Sequence, residues 1–116
     1  MKSNIQLQGL IRELKKQSNA EKVALWKRLA NDLEKPTRMR RVVNLTKLNK
    51  CSKENEIIVV PGKVLGTGEL DHKVTVAAFN FSKQAIEKIE NAKGTIYSIY
   101  EFMQKNPKGQ KTRILG

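Results

Sequence analysis

The stretch "IIVVPGKVLGTGELDHKVTVAAFNF", residues 57–81, decides the fold prediction. Residues 57–60 form a short apolar run, and residues 72–81 form a longer run rich in β-branched and aromatic side chains. Both runs are typical of β-strands. Pro61 and Gly62 predict a turn between them, and two further glycines make the connection a glycine-rich loop. We therefore expect two strands that flank this loop.

The glycine loop contains Lys63, and a glycine-rich loop with a lysine can bind phosphate. A P-loop requires Ser or Thr directly after Gly-Lys, but Val64 stands there, and no glycine lies five positions before Gly62. The dinucleotide fingerprint also fails, because Asp71 occupies the position of its third glycine. Glu69 adds further negative charge beside the loop. We expect a mainly structural loop with one phosphate-contacting residue, Lys63, and no nucleotide cofactor.

Two amphipathic helices are predicted before this region. Apolar residues recur at helical spacing in two stripes, Leu7, Leu10, Ile11 and Leu14, then Val23, Trp26, Leu29, Ala30 and Leu33. Asn19 is a good N-cap for the second helix, and Pro36 should end it. Because Trp26 lies on the apolar stripe, we interpret it as a core anchor rather than an RNA-stacking residue.

The remaining segments alternate between strand and helix signals. A basic extended arm, residues 35–41, should lead into a strand or short helix. Ser82 can cap a helix that stops near Gly94, a short strand follows at residues 95–97, and Ser98 with Glu101 forms a capping box for a last helix. This order predicts an α/β fold in one domain. Its parts are a helical region (1–34), the arm (35–41), an α/β core (42–106) and a basic tail (107–116).

The charge points to a polyanionic partner. Lys and Arg number 23 against 11 acidic residues, a net charge of +12. The net charge is +7 in residues 1–41, +1 in residues 42–81 and +4 in residues 82–116, so the arm and tail are the expected contact regions. Nucleic acid is the first candidate, since no segment has the apolar character of a membrane-binding one. A solvated linker remains the alternative for the arm.

The residues do not favour catalysis or metal binding. One cysteine, Cys51, and one histidine, His72, cannot supply a four-ligand zinc site or a disulfide framework. No base partner is visible for Cys51, and His72 is interpreted as a surface or packing residue. We expect no enzyme activity, metal, cofactor or small-molecule substrate. The N-terminus lacks a signal-peptide pattern, so a cytoplasmic protein is expected.

Three segments carry a family resemblance. They are "RMRRVVNLTKLNK" (residues 38–50), "VVPGKVLGTGELDHKVTVAAFNFS" (residues 59–82) and "NPKGQKTRILG" (residues 106–116). Together they resemble ribosomal protein eighteen of the archaeal and eukaryotic large subunit, a family similar to bacterial large-subunit ribosomal protein fifteen. The resemblance extends over essentially the whole chain and implies a non-catalytic component of the large ribosomal subunit. The expected partners are large-subunit ribosomal RNA and neighbouring ribosomal proteins.

The resemblance also suggests which residues contact RNA. Carried over by position, they are Lys35, Arg38, Arg40, Arg41, Asn44, Lys47, Lys63, Lys108, Lys111 and Arg113. With few aromatic residues outside apolar patterns, contact with phosphates and RNA shape is favoured over base stacking. Two alternatives remain open. One is a free-standing nucleic-acid-binding module whose N-terminal helices bind DNA, and the other is an enzyme that uses the glycine loop.

Overall fold

The computed structural model describes residues 7–22, 24–34, 41–107, 109 and 111–115, with Arg41 described by its backbone alone. Five helices and five strands lie in this part of the chain. In chain order they are α1 (Leu7–Glu21), α2 (Ala24–Leu33), β1 (Arg41–Asn44), α3 (Leu45–Cys51), β2 (Ile57–Leu65), β3 (Thr75–Phe81), α4 (Lys83–Asn91), β4 (Thr95–Ser98), α5 (Ile99–Lys105) and β5 (Thr112–Ile114). The α/β class predicted from the sequence is confirmed.

The strands form one parallel sheet centred on β2. β3 pairs along one edge of β2, and β4 pairs with β3 beyond it. The other edge of β2 is shared by two strands, since β5 pairs with residues 57–59 and β1 with residues 62–65. β1, which begins at the last residue of the basic arm, and β5, which lies in the basic tail, therefore pair with the same edge of β2.

Helices cover both faces of the sheet. On one face, Leu45 and Leu48 of α3 and Ile89 of α4 pack with alternate strand residues such as Ile58 and Val76. On the other face, α1, α2 and α5 pack against the intervening residues Val59 and Ala77. None of the helices in the described ranges combines the length and apolar character needed to cross a membrane.

The predicted turn at Pro61 and Gly62 is wrong. Both residues lie within β2, where the register to β3 shifts between Val60 and Lys63. A proline cannot donate to a strand ladder, so within a sheet it is confined to edges, strand starts and bulges. Here the bulge falls where the outer partner of β2 changes from β5 to β1. The Pro-Gly pair thus marks a change of partners rather than the end of the strand.

The glycine loop itself spans residues 66–74 and packs against its own domain. The carbonyl oxygen of Thr67 accepts hydrogen bonds from the backbone N–H groups of Leu45 and Thr46, at 2.9 and 3.2 Å. Gly68 has φ +97°, and a Cβ there would overlap Thr46 Oγ1. The geometry requires glycine at this position because a side chain would be strained and would collide with α3.

Glu69, an acidic residue of the glycine loop, forms an ion pair with Lys88 of α4. Lys88 Nζ lies 3.3 Å from the carboxylate of Glu69 and donates to the carbonyl oxygen of Gly68 at 2.7 Å. The loop is therefore held to α3 on one side and to α4 on the other. At Gly68 the loop thus packs closely against its own domain, in keeping with the expectation of a mainly structural loop.

Both N-terminal helices are confirmed, but the predicted boundary between them is wrong. α1 continues through Asn19 to Glu21, and the break follows at Lys22, which has φ 57°. Asn19 is therefore not the N-cap of α2. The part of the prediction that concerns Val23 and Pro36 lies outside the described residues. Trp26 is fully buried, as expected of a core anchor.

The predicted caps in the second half of the chain are confirmed. Ser82 Oγ accepts from Ala85 N, and Ser98 and Glu101 form the reciprocal capping box at the start of α5. The prediction missed two features. Asn44 caps α3 immediately after β1, and the tail contributes the short strand β5.

Candidate nucleic-acid interface

Described parts of the two basic regions predicted to contact RNA lie on the outer edge of β2, namely the backbone of Arg41 and residues 112–115. The backbone of Arg41 begins β1 opposite Gly62, whereas Ile114, at the end of β5, lies opposite Val59. Leu115 N continues this edge with a 2.9 Å hydrogen bond to Val59 O. Three strand residues correspond to roughly 10 Å. Arg41, where the arm ends, and residues 112–115 of the tail therefore lie close to each other although they are far apart in sequence.

Several predicted contact residues lie outside the part of the chain that is described. They are Lys35, Arg38, Arg40 and Lys108, together with the side chain of Arg41. Their roles stay predictions.

Asn44 and Lys47 lie together at the start of α3. Asn44 Oδ1 accepts a hydrogen bond from the backbone N–H of Lys47 at 2.9 Å, which satisfies one free donor of the first helical turn. The Lys47 side chain is exposed and forms no ion pair with a carboxylate in the described residues. Asn44, predicted only as an RNA contact, is thus also the N-cap of α3. The Lys47 side chain is available to a partner.

Lys63 lies in an exposed row that crosses three strands. In the sheet register it is opposite Val42 on one side and Asn80 on the other. All three side chains are exposed. Sequence analysis identified Lys63 and missed the other two, because only the strand register brings residues 42, 63 and 80 together.

The described tail residues differ in their freedom to bind a partner. Lys111 is exposed and has φ 56° directly before β5. Arg113, which is half-exposed, has internal partners: its Nη1 lies 3.3 Å from Glu56 Oε2, and its Nη2 donates to the carbonyl oxygen of Cys51. Arg113 thus connects β5 to the end of α3. A phosphate contact by Arg113 would compete with these bonds.

His72 is at the centre of a hydrogen-bonded chain that sequence analysis did not predict. Its Nε2 lies 2.8 Å from Ser52 Oγ, and its Nδ1 lies 2.9 Å from Asp71 Oδ1. Hydrogen bonds with the side chains of His72, chiefly, and Asn49 lower the pKa of Asp71. Ser52 is buried at the C-cap of α3, where its hydroxyl donates to Leu48 O at 2.6 Å. The order of groups resembles a catalytic triad, but the serine proton is used by the helix end and the oxygen is shielded from solvent.

A strongly basic α/β domain is typical of the class of proteins that bind polyanions. The comparisons with known proteins narrow this class. Residues 6–97 match the family described as ribosomal proteins 50S-L15, 50S-L18e and 60S-L27a. This chain belongs to that family.

Curated archaeal relatives extend the similarity over almost the whole chain. The "Large ribosomal subunit protein eL18" of Methanothermobacter thermautotrophicus is 46% identical over 114 residues, which cover 98% of this chain and 94% of the relative. The protein of the same name from Sulfolobus acidocaldarius is 49% identical over 115 residues, covering 97% and 94%. That from Sulfurisphaera tokodaii is 46% identical over 113 residues, covering 97% and 92%. The family resemblance inferred from the sequence is confirmed.

Proposed function

We propose that this protein is a non-catalytic structural component of the large ribosomal subunit in the cytoplasm. In that role it binds large-subunit ribosomal RNA and contacts neighbouring ribosomal proteins. The names of the archaeal relatives support the assignment to the subunit. The net charge of +12 supports a polyanionic partner, because nucleic acid would relieve the repulsion between so many cations.

One observation carries the proposed RNA contact: the backbone of Arg41, the last residue of the arm, and tail residues 112–115 lie on the same edge of β2. Arg41, at the start of β1, is opposite Gly62. The backbone N–H of Leu115, directly after β5, donates to the carbonyl oxygen of Val59. We therefore propose that the cations of the arm and of the tail contact one stretch of RNA backbone. Contacts of this kind position the protein through phosphates and do not read base sequence.

The absence of catalysis is part of the same proposal. Among the described residues, the group that most resembles a catalytic triad is the chain of Ser52, His72 and Asp71. Its serine is only 7% exposed. A nucleophile must reach its substrate, and this hydroxyl is committed to Leu48 O. We assign the chain of hydrogen bonds to structure, where it connects the end of α3 to the segment before β3.

The arm provides the direct test. We expect the double variant Arg40→Ala/Arg41→Ala to weaken binding to an in vitro transcript of large-subunit ribosomal RNA. The slope of log K against log salt should flatten by roughly two, one unit for each lost phosphate contact. Arg12→Ala/Lys16→Ala is the matched control, since it removes the same charge from the exposed surface of α1.

Sucrose-gradient fractionation of the host lysate tests the assignment to the subunit. The protein should sediment with the large subunit, and its appearance only in free fractions would overturn the proposal. Preferential binding to duplex DNA over structured RNA would instead favour the free-standing nucleic-acid-binding module. An unchanged salt slope in the arm variant would place the RNA contact elsewhere.

A further inference from the structure

An exposed row of three side chains crosses the sheet at its carboxyl end. Val42, Lys63 and Asn80 are in register on β1, β2 and β3. The residue that follows each of them is buried in the core beneath α3 and α4, namely Val43, Val64 and Phe81. Because successive side chains of a strand point to opposite faces, Val42 and Lys63 face away from α3 and α4, and Asn80 is exposed beside Lys63 in the sheet register.

The helices on that second face do not cover the row. α1, α2 and α5 pack over strand residues nearer the amino ends, such as Val59 and Ala77. Val42 is 60% exposed and is the large apolar side chain that stands out on the surface of the described residues. The row is therefore an open strip of sheet next to the point where β1 begins.

The polar groups of this strip carry hydrogen-bond donors that are free to bind a partner. Asn80 Oδ1 already accepts from Phe81 N at 2.9 Å, which leaves the Nδ2 group free to donate outward. Asn44 Oδ1 is likewise occupied, by Lys47 N. Lys63 contributes an ammonium group, which can only donate. A complementary partner must therefore present many acceptor oxygens.

The charge of the surrounding segments has one sign. Residues 41–48, 62–68 and 79–86 contain four cations, Arg41, Lys47, Lys63 and Lys83, and no Asp or Glu. The three lysines among them form no ion pair with a carboxylate in the described part of the chain. The four acidic residues between 42 and 81 lie instead before β2 and in the loop before β3, at positions 54, 56, 69 and 71.

We propose that the phosphodiester backbone of ribosomal RNA crosses the sheet along this row. Lys63 and Asn80 donate to phosphate oxygens, and Val42 packs against the adjoining ribose. This inference rests on the proposed function and extends it, because it adds Val42 and Asn80 to the interface and makes Lys63 its centre. It also places the contact beside the edge of β2 with which β1 and β5 pair.

The chemistry favours RNA over a protein partner at this strip. A single exposed valine is normal on a protein surface, and a protein interface would need a larger apolar centre. The two free donor groups of the row, the ammonium of Lys63 and Nδ2 of Asn80, instead complement an anionic backbone, whose phosphate oxygens are acceptors. A protein partner is therefore treated as an outcome of the experiment.

Two substitutions test the row without disturbing the fold. Asn80→Asp keeps the oxygen that accepts from Phe81 N, replaces the outward donor with a carboxylate oxygen and adds one negative charge. Lys63→Glu reverses the charge of an exposed side chain. Lys53→Glu is the matched control, because it makes the same charge change at an exposed position before the amino end of β2.

Binding is measured by fluorescence anisotropy with a labelled in vitro transcript of large-subunit ribosomal RNA. We expect Lys63→Glu to weaken binding about tenfold, the effect of one lost charged hydrogen bond. Asn80→Asp should weaken it severalfold, and Lys53→Glu by less than about twofold. Circular dichroism checks that all three variants are folded.

The outcomes separate this inference from the function on which it rests. If the wild-type protein does not bind the transcript, the proposed function fails. If it binds, and both row variants match Lys53→Glu, the function stands and the row is not the contact. If the row variants bind RNA normally but fail to enter large subunits, a protein partner covers the strip and the inference is overturned.

Discussion

Trp26 Nε1 donates a 2.7 Å hydrogen bond to the carbonyl oxygen of Pro107, 81 residues away in sequence. Trp26 is fully buried in α2, and its ring meets Phe102 of α5 edge-on, with centroids 6.0 Å apart. The bond joins the N-terminal helices to the turn that precedes β5. The same contact therefore stabilises the helical layer and positions the start of the basic tail.

We expect Trp26→Phe to lower the free energy of unfolding by about 2–3 kcal/mol, because it shrinks a core side chain and leaves the Pro107 carbonyl without its main donor. Urea denaturation followed by circular dichroism measures the change. Gln17→Ala is the control, since Gln17 Nε2 reaches the same carbonyl at 3.4 Å from an exposed position. Equal losses in both variants would contradict a special role for the indole bond.

Gly68→Ala should destabilise the protein by about 2 kcal/mol or more. Its backbone has φ +97°, which strains any residue with a Cβ, and the added methyl group would lie 2.7 Å from Thr46 N. The displaced loop would also lose the bonds from α3 to Thr67 O. Thermal unfolding followed by the fluorescence of Trp26 provides the measurement.

Thr67→Ala is the control for this prediction. The Thr67 side chain is exposed, and the substitution keeps the carbonyl oxygen that α3 uses. We expect its stability to stay within about 0.5 kcal/mol of the wild type. A Gly68→Ala protein as stable as Thr67→Ala would show that the loop can relax away from α3.

The local features of the fold were predictable because their causes are local. Ser82, Ser98 and Glu101 satisfy the first N–H groups of helices that begin directly after strands, and the pattern of cap and apolar stripe is visible in the sequence. The buried positions of Trp26 and Leu29 follow from helical periodicity in the same way.

The remaining features depend on pairings between distant segments. Pro61 and Gly62 are typical of a turn, and only the exchange of β5 for β1 along β2 explains why the strand continues through them. Three residues of the tail form β5 because residues 57–59 of β2 have an edge with which they can pair. The tail sequence itself does not indicate this pairing. For the same reason the sequence pointed to Lys63 but not to Asn80 beside it.

The capping box of α5 can be tested as a unit. Ser98→Ala should cost about 1 kcal/mol, because Glu101 N loses its 3.1 Å acceptor. Glu101→Ala should cost less, and the double variant should cost less than the sum of the two, since each side chain satisfies the backbone N–H of the other residue. Urea denaturation of the four proteins measures the coupling, and strictly additive losses would show that the two bonds act independently.

Asp71 should make the stability of the protein depend on acid pH. Hydrogen bonds with His72, chiefly, and Asn49 hold the pKa of the Asp71 carboxyl below its ordinary value of 3.8. A carboxyl whose pKa is lower in the folded state contributes stability at pH values above the unfolded pKa, and this contribution is lost as pH falls through the folded pKa. We therefore expect Asp71→Asn to be less stable than the wild type near neutral pH.

The difference between Asp71→Asn and the wild type should shrink as the pH is lowered below 3.8, because the wild-type carboxyl then becomes protonated and neutral like the amide. Urea midpoints measured from about pH 6 to about pH 2 follow this convergence. Glu54→Gln is the control, since it neutralises an exposed carboxylate outside the hydrogen-bonded chain. A constant difference between Asp71→Asn and wild type across the whole range would mean that the ionised form of Asp71 has no preferred interaction with His72.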